Sequence, residues 1–361
     1  MKDMPLFRRA LLSWFDRNQR ALPWRQEYNP YHIWIAEIMA QQTQMERVVD
    51  YFSRWIERFP DIHALAVAPE QEVLKVWEGL GYYSRARNIH RAASLLAARH
   101  GGEIPDDHGQ LLALPGIGPY TAAAIMSIAF DRPFPVLDAN VQRILARLTD
   151  LDRPLRTAGT QRLLQEVATR LLAGERPRLF NQAMMELGAL VCTPRHPGCD
   201  RCPVRDHCRA LAADVVAERP LPRPRQESVR ITMACVILCH HGRVYIQQRL
   251  PDDVWGGLWE FPGGRLKAGE SPDQAARREL REETSFRAGN LRPFRTVTHC
   301  YTRYHVTLHA FFSNLGQCSH VPVLRAATDY RWVDLAGLSG FPFPAGHRQL
   351  VGHLKKNWKN G

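Results

Sequence analysis

Lysine is scarce in this sequence. Only six of the 48 basic residues are lysine, and none lies between Lys75 and Lys267. This absence excludes a lysine nucleophile of the Schiff-base kind from that long stretch. The remaining 42 basic residues are arginine, and the net charge of +12 favours an anionic partner, nucleic acid foremost.

Long apolar runs are also missing. No stretch approaches the roughly 18 uninterrupted apolar residues of a membrane span. The N-terminal residues 1–20 have too short an apolar core for a secretory signal and predict an amphipathic helix. We therefore expect a cytoplasmic protein without a membrane partner, and separately we expect it to be monomeric and nucleoid-associated.

Composition changes once along the chain. Residues 1 to about 210 show helical periodicity in segments 31–59, 71–80, 86–100 and 121–130, with Gly and Pro at the joins. A linker with three prolines in five residues follows, and beyond it strand-like and helical segments mix, namely strands at 231–239, 243–249, 305–313 and 330–333 and helices at 272–283 and 345–356. The sequence predicts an all-α domain (1–217), a linker (218–228) and an α+β domain (229–361).

Four of the eight cysteines are crowded together. Cys192, Cys199, Cys202 and Cys208 have the spacing C-x6-C-x2-C-x5-C in the loop 192–208. Without an export signal such a cluster indicates metal rather than disulfides. The absence of a second C-x2-C pair favours a cubane iron–sulfur cluster, and a structural zinc knuckle is the alternative. We expect Cys235, Cys239, Cys300 and Cys318 to be buried thiols.

The segment 111–125 predicts two helices joined by a Pro-Gly-Ile-Gly turn. Gly116 and Gly118 would let backbone N–H groups approach a phosphate, and Pro119 would open the second helix. A plain tight turn is the alternative, but the hairpin form and the basic chain favour a grip on a DNA backbone.

Two carboxyl residues carry an acid–base hypothesis. Glu37 lies among apolar residues on one face of a predicted helix, and apolar surroundings raise the pKa of a carboxyl group. Asp138 follows two prolines and would begin a helix whose dipole favours its ionised form. One protonated and one ionised carboxyl suit glycosidic cleavage through an oxocarbenium-like state. A surface glutamate and an ordinary helix cap are the alternatives.

These features together resemble the MutY adenine DNA glycosylase family over almost the whole chain, and further matching segments lie at 22–24, 36–43, 77–88, 136–143 and 180–192. The resemblance implies removal of adenine mispaired with 8-oxoguanine or guanine in duplex DNA. It implies that Glu37 protonates the base, that Asp138 stabilises or captures the sugar cation, and that Asn140 holds Asp138. By the same match Gln41, Gln42 and Tyr82 fill or wedge the helix while adenine is flipped out.

The endonuclease III type of glycosylase is the alternative, and it nicks the strand with a hairpin lysine. Tyr120 occupies that position here, which predicts a monofunctional glycosylase. By the resemblance Tyr120 lines the pocket and assists at the sugar.

The segment 263–286 resembles a Nudix box. It supplies Gly264, Glu270, Arg278, Glu279, Leu280, Glu282, Glu283 and Phe286, and Ser285 replaces only the final glycine, where positive φ is needed. Glu279, Glu282 and Glu283 would converge on one helix face and attract Mg²⁺, or form a solvated acidic face. The domain is similar to MutT, an 8-oxo-dGTP hydrolase, and the resemblance implies a further catalytic glutamate from a distal loop. No glutamate follows Glu283 in this chain, so Asp329 and Asp334 are the candidates to replace it.

In MutY the corresponding domain reads 8-oxoguanine. Here the loop 296–301 carries Thr298 and His299, which resemble the Ser/Thr-His pair that contacts the lesion; a polar turn is the alternative. The linker lacks cysteine, so a zinc-bound linker is not expected. The sequence therefore predicts an adenine glycosylase whose second domain reads 8-oxoguanine, with 8-oxo-dGTP hydrolysis as an additional possible activity.

Overall fold

The computed structural model describes residues 3–173, 176–222, 227–301, 303–315 and 321–357. Part of the predicted linker (223–226) and Cys318 lie outside the described residues. Contacts divide the chain into two compact units, Met1–Val67 with Asn88–Pro224 and Ala68–Arg87 with Arg225–Gly361. The segment 68–87 thus packs with the second unit although it interrupts the first in sequence. Among the described residues no helix is long and apolar enough to cross a membrane.

The part of the chain before residue 213 is helical, as predicted. Its helices are α1 Met4–Asn18, α2 Pro30–Ala40, α3 Met45–Arg58, α4 Ile62–Val67, α5 Glu70–Trp77, α6 Ser84–Arg99, α7 His108–Leu112, α8 Pro119–Ala124, α9 Ala139–Thr149, α10 Ala158–Leu172, α11 Pro177–Leu190 and α12 Arg209–Ala212. The periodic segment 31–59 is two helices, because the backbone turns to positive φ at Gln42 (56°) before α3 begins. The segment 121–130 continues α8 as a π-helical turn over Ile125–Ala129.

The predicted hairpin is formed by α7 and α8. Pro119 is the first residue of α8, where its missing N–H leaves no hydrogen bond unmade. Gly116 has φ 78°, and a Cβ there would lie 2.6 Å from the Cβ of Asn88, so both backbone and packing require glycine. A Cβ at Gly118 would meet nothing within 4 Å, so this side of the turn is open.

The second unit contains a seven-stranded mixed sheet. Its strands are β1 Val229–His240, β2 Arg243–Arg249, β3 Trp259–Glu260, β4 Gly263–Arg265, β5 Arg292–Tyr301, β6 Tyr304–Asn314 and β7 Ala327–Val333. The order is β3-β2-β1-β6-β5, with β4 on β1 and β7 on β2, and β1 pairs with β6 in parallel. Helices α13 Pro272–Thr284 and α14 Ala345–Asn357 belong to the same unit, as does α5 of the segment 68–87.

Strand β1 separates two cores by the alternation of its side chains. Cys235, Ile237 and Cys239 belong to a cluster with the α14 residues Leu350, Val351 and Leu354. Ala234, Val236 and Leu238 belong to a cluster with the α13 residues Ala275, Ala276 and Leu280. The period of two in a fully buried strand produces this arrangement, with one helix contributing to each cluster.

Two predictions about this unit were wrong. The segment 296–301 is not a loop but the second half of β5, paired antiparallel with β6. Its three consecutive β-branched residues, Thr296, Val297 and Thr298, favour a strand, and Val297 is buried. Cys300, on this strand, is exposed rather than buried, whereas Cys235 and Cys239 are buried as predicted.

Candidate active site

Glu37 is buried in the last full turn of α2. Asn29 caps this helix by accepting hydrogen bonds from the N–H groups of Tyr31 and His32, and Pro30 is its first residue. The side chain lies in the first unit with only 6% of the residue exposed. Burial raises the pKa of Glu37 to about 7, against the opposing effects of a hydrogen bond from Tyr120 and the charge of Arg25. The raised pKa agrees with the prediction from the apolar helix face.

Tyr120 contacts Glu37 directly. Its hydroxyl donates to Oε2 of Glu37 at 2.5 Å from the second position of α8. Burial and the two carboxyl groups nearby raise the pKa of Tyr120 well above its ordinary value, so the hydroxyl keeps its proton and remains a donor. The tyrosine therefore orients one oxygen of Glu37 and leaves the other as the position for a transferable proton.

Asp138 caps helix α9, as predicted. Its Oδ1 accepts from the N–H of Val141 at 2.6 Å, and its Oδ2 accepts from Nδ2 of Asn140 at 3.0 Å. The prediction that the helix dipole would favour the ionised form of Asp138, and so lower its pKa, was wrong. Burial is the largest effect and raises the pKa of Asp138, although the hydrogen bonds and the charge of Arg143 oppose it. Negative charge on Asp138 in turn raises the pKa of Glu37.

Two buried arginines of α9 bind the cysteine loop, and one of them, Arg143, also binds Asn140, the partner of Asp138. Arg143 donates to Oδ1 of Asn140 at 2.8 Å and to the carbonyl oxygen of Cys192 at 2.8 Å. Arg147 donates to Sγ of Cys192 at 3.2 Å. Sequence reasoning did not single out either residue, because among 42 arginines nothing local distinguishes the two that are buried on α9. Their relative exposures are 7% and 2%.

The four clustered cysteines line a single cavity together with Arg147 and Arg205. Burial raises the pKa of Cys202 to about 12 and also raises the pKa values of Cys199 and Cys208. Bound iron would stabilise the thiolates that burial disfavours, and Arg147 already donates to one of the sulfurs. The donor set thus fits an iron–sulfur cluster. Within the described ranges no three or more His, Cys, Asp or Glu side chains have the spacing of ligands around one metal ion, so the fit concerns the kind of donors and the cavity that they share.

Gln42 and Tyr82, two of the predicted DNA contacts, have left-handed backbones, with φ of 56° and 48°. Such a conformation in a residue other than glycine is unfavourable by about 1–2 kcal/mol and is concentrated at functional sites. Gln41 ends α2 in the first unit, and its Nε2 lies 3.5 Å from Oγ1 of Thr121. Tyr82 belongs to the second unit.

The Nudix-box carboxylates do not converge on one point. Arg278 donates to Glu270, Glu279 and Glu282 at 2.7–3.0 Å, so its guanidinium provides the positive charge among them. Glu283 is held elsewhere, accepting from Nε2 of Gln247 at 2.9 Å and from the N–H of Gly263 at 3.0 Å. Burial raises the pKa of Glu283 to about 8.

A cavity of about 420 Å³ adjoins this helix. Glu279, Glu283 and Asp253 contribute its carboxylates, and its other lining residues include Trp255, Tyr304, Met233 and Arg249. Asp329 and Asp334, considered as substitutes for a distal glutamate, do not line it. Ser285 ends α13 with φ 63°, which confirms the expected left-handed turn.

Thr298 and His299 point to opposite faces of β5, because successive side chains alternate along a strand. Thr298 is exposed, whereas the ring nitrogens of His299 are buried and have no hydrogen-bond partner among the described residues. The ring lies against α14, where a Cβ on Gly346 would be 2.8 Å from its Cε1. The two residues therefore cannot contact one base side by side in this conformation.

Comparison with known proteins agrees with this architecture. Residues 35–169 match the family model of HhH-GPD superfamily base excision DNA repair proteins, and residues 233–353 match that of the NUDIX domain. The adenine DNA glycosylase of Mus musculus is 33% identical over 92% of this chain and 74% of its own length. That of Rattus norvegicus is 43% identical over 58% of this chain, but the match spans only 42% of the rat protein.

A solved thermostable thymine-DNA glycosylase superposes with a TM-score of 0.54 and 27% identity, covering 58% of this chain and 97% of that one. The likeness supports the helical glycosylase fold of the first unit. With a buried Glu37, a half-buried Asp138, a helix-hairpin-helix and a C-terminal NUDIX domain in one sequence, this chain belongs to the adenine DNA glycosylase family of base excision repair.

Proposed function

We propose that this protein removes adenine mispaired with 8-oxoguanine, or with guanine, from duplex DNA. The observation that carries the proposal is Glu37, whose pKa is about 7, with its carboxyl bound by the hydroxyl of Tyr120 and influenced by the charge of Asp138. A carboxyl that holds its proton near neutral pH can donate it to a ring nitrogen of a flipped adenine.

The two carboxyl groups divide the work of breaking the N-glycosidic bond. Protonation of adenine by Glu37 makes the base a neutral leaving group, and the bonding electrons depart with it. The deoxyribose then carries positive charge, which the carboxylate of Asp138 stabilises or captures. Asn140 fixes that carboxylate, since its Nδ2 donates to Oδ2 at 3.0 Å. Water completes the reaction and leaves an abasic site.

The first experiment compares excision by the unmutated chain and by Glu37→Gln on a duplex with adenine opposite 8-oxoguanine. The unmutated protein is expected to leave an abasic site that breaks only under alkali, and the substitution is expected to abolish excision. Strand nicking without alkali would support the endonuclease III type instead. Duplex affinity without excision in the unmutated protein would make it a lesion-binding protein.

Cys192, Cys199, Cys202 and Cys208 are proposed to hold a [4Fe–4S] cluster. When bound, it would organise an arginine-rich loop that can meet DNA phosphates. Purified protein should contain about four iron atoms per chain. Active protein that contains zinc and no iron would contradict the assignment.

The second unit is proposed to recognise 8-oxoguanine through β5. Because Thr298 and His299 face opposite sides of the strand, Thr298→Ala and His299→Ala should affect the preference for 8-oxoguanine over guanine separately. A contact by the exposed threonine requires no rearrangement, whereas a contact by the histidine requires its ring to leave α14. If neither substitution changes the preference, β5 does not read the lesion.

A second candidate activity is hydrolysis of 8-oxo-dGTP with Mg²⁺. The cavity lined by Glu279, Glu283 and Trp255 supports it, since it places carboxylates and an aromatic ring in one space. The test is pyrophosphate release by the unmutated chain and by Glu282→Gln. Turnover that the substitution abolishes would make the protein a dual enzyme. If a preparation that excises adenine shows no turnover, the box serves only as a scaffold.

A further inference from the structure

The segment 68–87 carries Tyr82, a predicted DNA contact, and it packs in the second unit. Its anchoring contacts are made with residues 251–259 and 341–348 of that unit. Gln71 donates to the carbonyl oxygen of Gly257 at 2.9 Å and accepts from the indole N–H of Trp259 at 2.8 Å. Arg87 donates to the carbonyl oxygens of Pro251 and Gly256, each at 2.9 Å. Residues 71–87 are thus fastened at both ends.

Between these ends, two side chains hold the backbone of Phe343. Oε1 of Glu78 accepts from the N–H of Phe343 at 2.8 Å, and the hydroxyl of Tyr83 donates to its carbonyl oxygen at 3.4 Å. Pro342 and Pro344 have no N–H, so Phe343 supplies the single backbone donor of these three residues. Glu78 therefore accepts from the one backbone N–H that residues 342–344 offer.

Glu78 is also the centre of an ion-pair network. Arg348 of α14 donates to Oε1 at 2.5 Å, and Lys75 donates to Oε2 at 2.6 Å. The side chain of Glu78 is only 13% exposed, and those of Arg348 and Lys75 are 28% and 30% exposed. Shielded, hydrogen-bonded pairs of this kind are stronger than surface pairs, which contribute little. Both carboxylate oxygens thus have cationic partners.

The turn directly after Glu78, residues 79–82, contains Tyr82. Gly79 and Gly81 have φ of 100° and 71°, and Tyr82 itself is left-handed. The turn is closed by the indole N–H of Trp77, which donates to the carbonyl oxygen of Gly81 at 3.0 Å. The N–H of Gly79 donates to the hydroxyl of Tyr83 at 3.3 Å. An unfavourable backbone at Tyr82 persists only if its surroundings hold it, and Glu78 and Tyr83 fasten those surroundings to Phe343.

The stretch Phe343–Gly346 contacts the predicted lesion-reading strand as well. Gly346 packs directly against the ring of His299 on β5. We propose that Glu78 is a positioning residue that joins the Tyr82 turn to His299 through Phe343–Gly346, and so sets the preference for 8-oxoguanine over guanine opposite adenine. The inference rests on the proposed function.

The test measures single-turnover excision of adenine opposite 8-oxoguanine and opposite guanine, together with hydrogen exchange at the amides of residues 79–83. Glu78→Gln keeps the shape of the side chain and removes its charge. The ratio of the two rates is expected to fall about 3- to 30-fold, the range for coupling through a packed segment, while excision opposite guanine changes less than about twofold. Exchange at 79–83 is expected to accelerate. The control is Glu70→Gln, an exposed residue at the start of α5, the helix that ends just before Glu78, and it should change neither measurement.

A double-mutant cycle separates positioning from general damage. In a Tyr82→Leu background, Glu78→Gln should have little further effect on the ratio. A parallel fall of both rates, or an unchanged ratio with unchanged exchange, would overturn the inference. If Glu78→Gln does not fold, Arg348→Gln tests the same network from its other side. Absence of excision in the unmutated chain would refute the proposed function instead, and exchange at 79–83 would still decide whether Glu78 holds the turn.

Discussion

Replacing Glu37 by glutamine should stabilise the protein while it abolishes excision. The carboxyl of Glu37 has a pKa of about 7 in the folded chain, against an ordinary value of 4.5, because burial disfavours its charge. Between these values the folded state binds more protons than the unfolded state. The free energy of unfolding therefore falls as pH rises through this window, and glutamine, which does not ionise, avoids the loss.

The size of the effect follows from the width of the window. A difference of one pKa unit corresponds to about 1.4 kcal/mol, so the full penalty above the folded pKa is about 3 kcal/mol. At about pH 5, only about half a unit above the ordinary pKa of 4.5, the penalty is still below about 1 kcal/mol. The gain from Glu37→Gln should accordingly be about 2.5 kcal/mol larger at pH 8 than at pH 5.

Urea denaturation of the full chain at the two pH values measures this difference, with the unmutated protein and Glu57→Gln, a substitution on the exposed face of α3, as references. The pH dependence, rather than the absolute gain, is the decisive quantity because it cancels changes in packing. An equal effect of Glu37→Gln at both pH values would show that Glu37 does not retain its proton in the folded state. The assignment of Glu37 as the acid would then lose its physical basis.

Three further predictions follow from the same contacts. The excision rate should fall about tenfold per pH unit well above pH 7, because Glu37 loses its proton there. Tyr120→Phe should move this fall to higher pH, because the hydrogen bond from the tyrosine lowers the pKa of Glu37. A pH profile that does not move would contradict the role of that bond. Asp138→Asn should reduce single-turnover excision by about 100-fold or more yet leave thermal stability almost unchanged, since asparagine caps a helix as well as aspartate; a large loss of stability would show a structural role. Ser285→Gly should increase the free energy of unfolding of the second unit by up to about 1 kcal/mol, because the relief of a left-handed backbone exceeds the entropy that glycine adds to the unfolded chain. The urea midpoint should therefore rise, and a lower midpoint would contradict the prediction.

Much of the site could be predicted because its residues carry local signals. Asp138 follows two prolines and caps a helix, Pro119 opens the second hairpin helix, and Ser285 stands where a helix-ending turn needs positive φ. The pKa of Glu37 was predictable in direction, since its helix is apolar on nearly every side. For Asp138 the prediction of a lowered pKa failed. The favourable effect of a helix dipole on a carboxylate is small, and burial in the folded chain, which raises the pKa, outweighed it.

What the sequence did not predict depends on contacts distant along the chain. Arg143 and Arg147 are identical in type to exposed arginines, and only folding places both against the cysteine loop and Arg143 against Asn140 as well. The segment 68–87 has the periodicity of the helical part, yet it packs in the second unit through Glu78 and its partners. The resemblance predicts a loop at 296–301, although the three consecutive β-branched residues 296–298 are typical of a strand.

The Nudix box shows why a matching signature does not by itself establish a use. Glu270 and Arg278 fasten α13 to the preceding loop, and Glu283 accepts a backbone hydrogen bond from Gly263. Each of these three residues therefore contributes to the fold, whether or not the box binds Mg²⁺. Glu282 differs. Its side chain is 49% exposed, and its ion pairs are with Arg278, which Glu270 and Glu279 already neutralise, and with the exposed Lys267 at 3.8 Å. An exposed pair of this kind contributes little to stability. Because structure alone gives Glu282 so little to do, the effect of Glu282→Gln on Mg²⁺-dependent hydrolysis distinguishes an enzyme from a scaffold more sharply than a substitution at Glu270, Arg278 or Glu283.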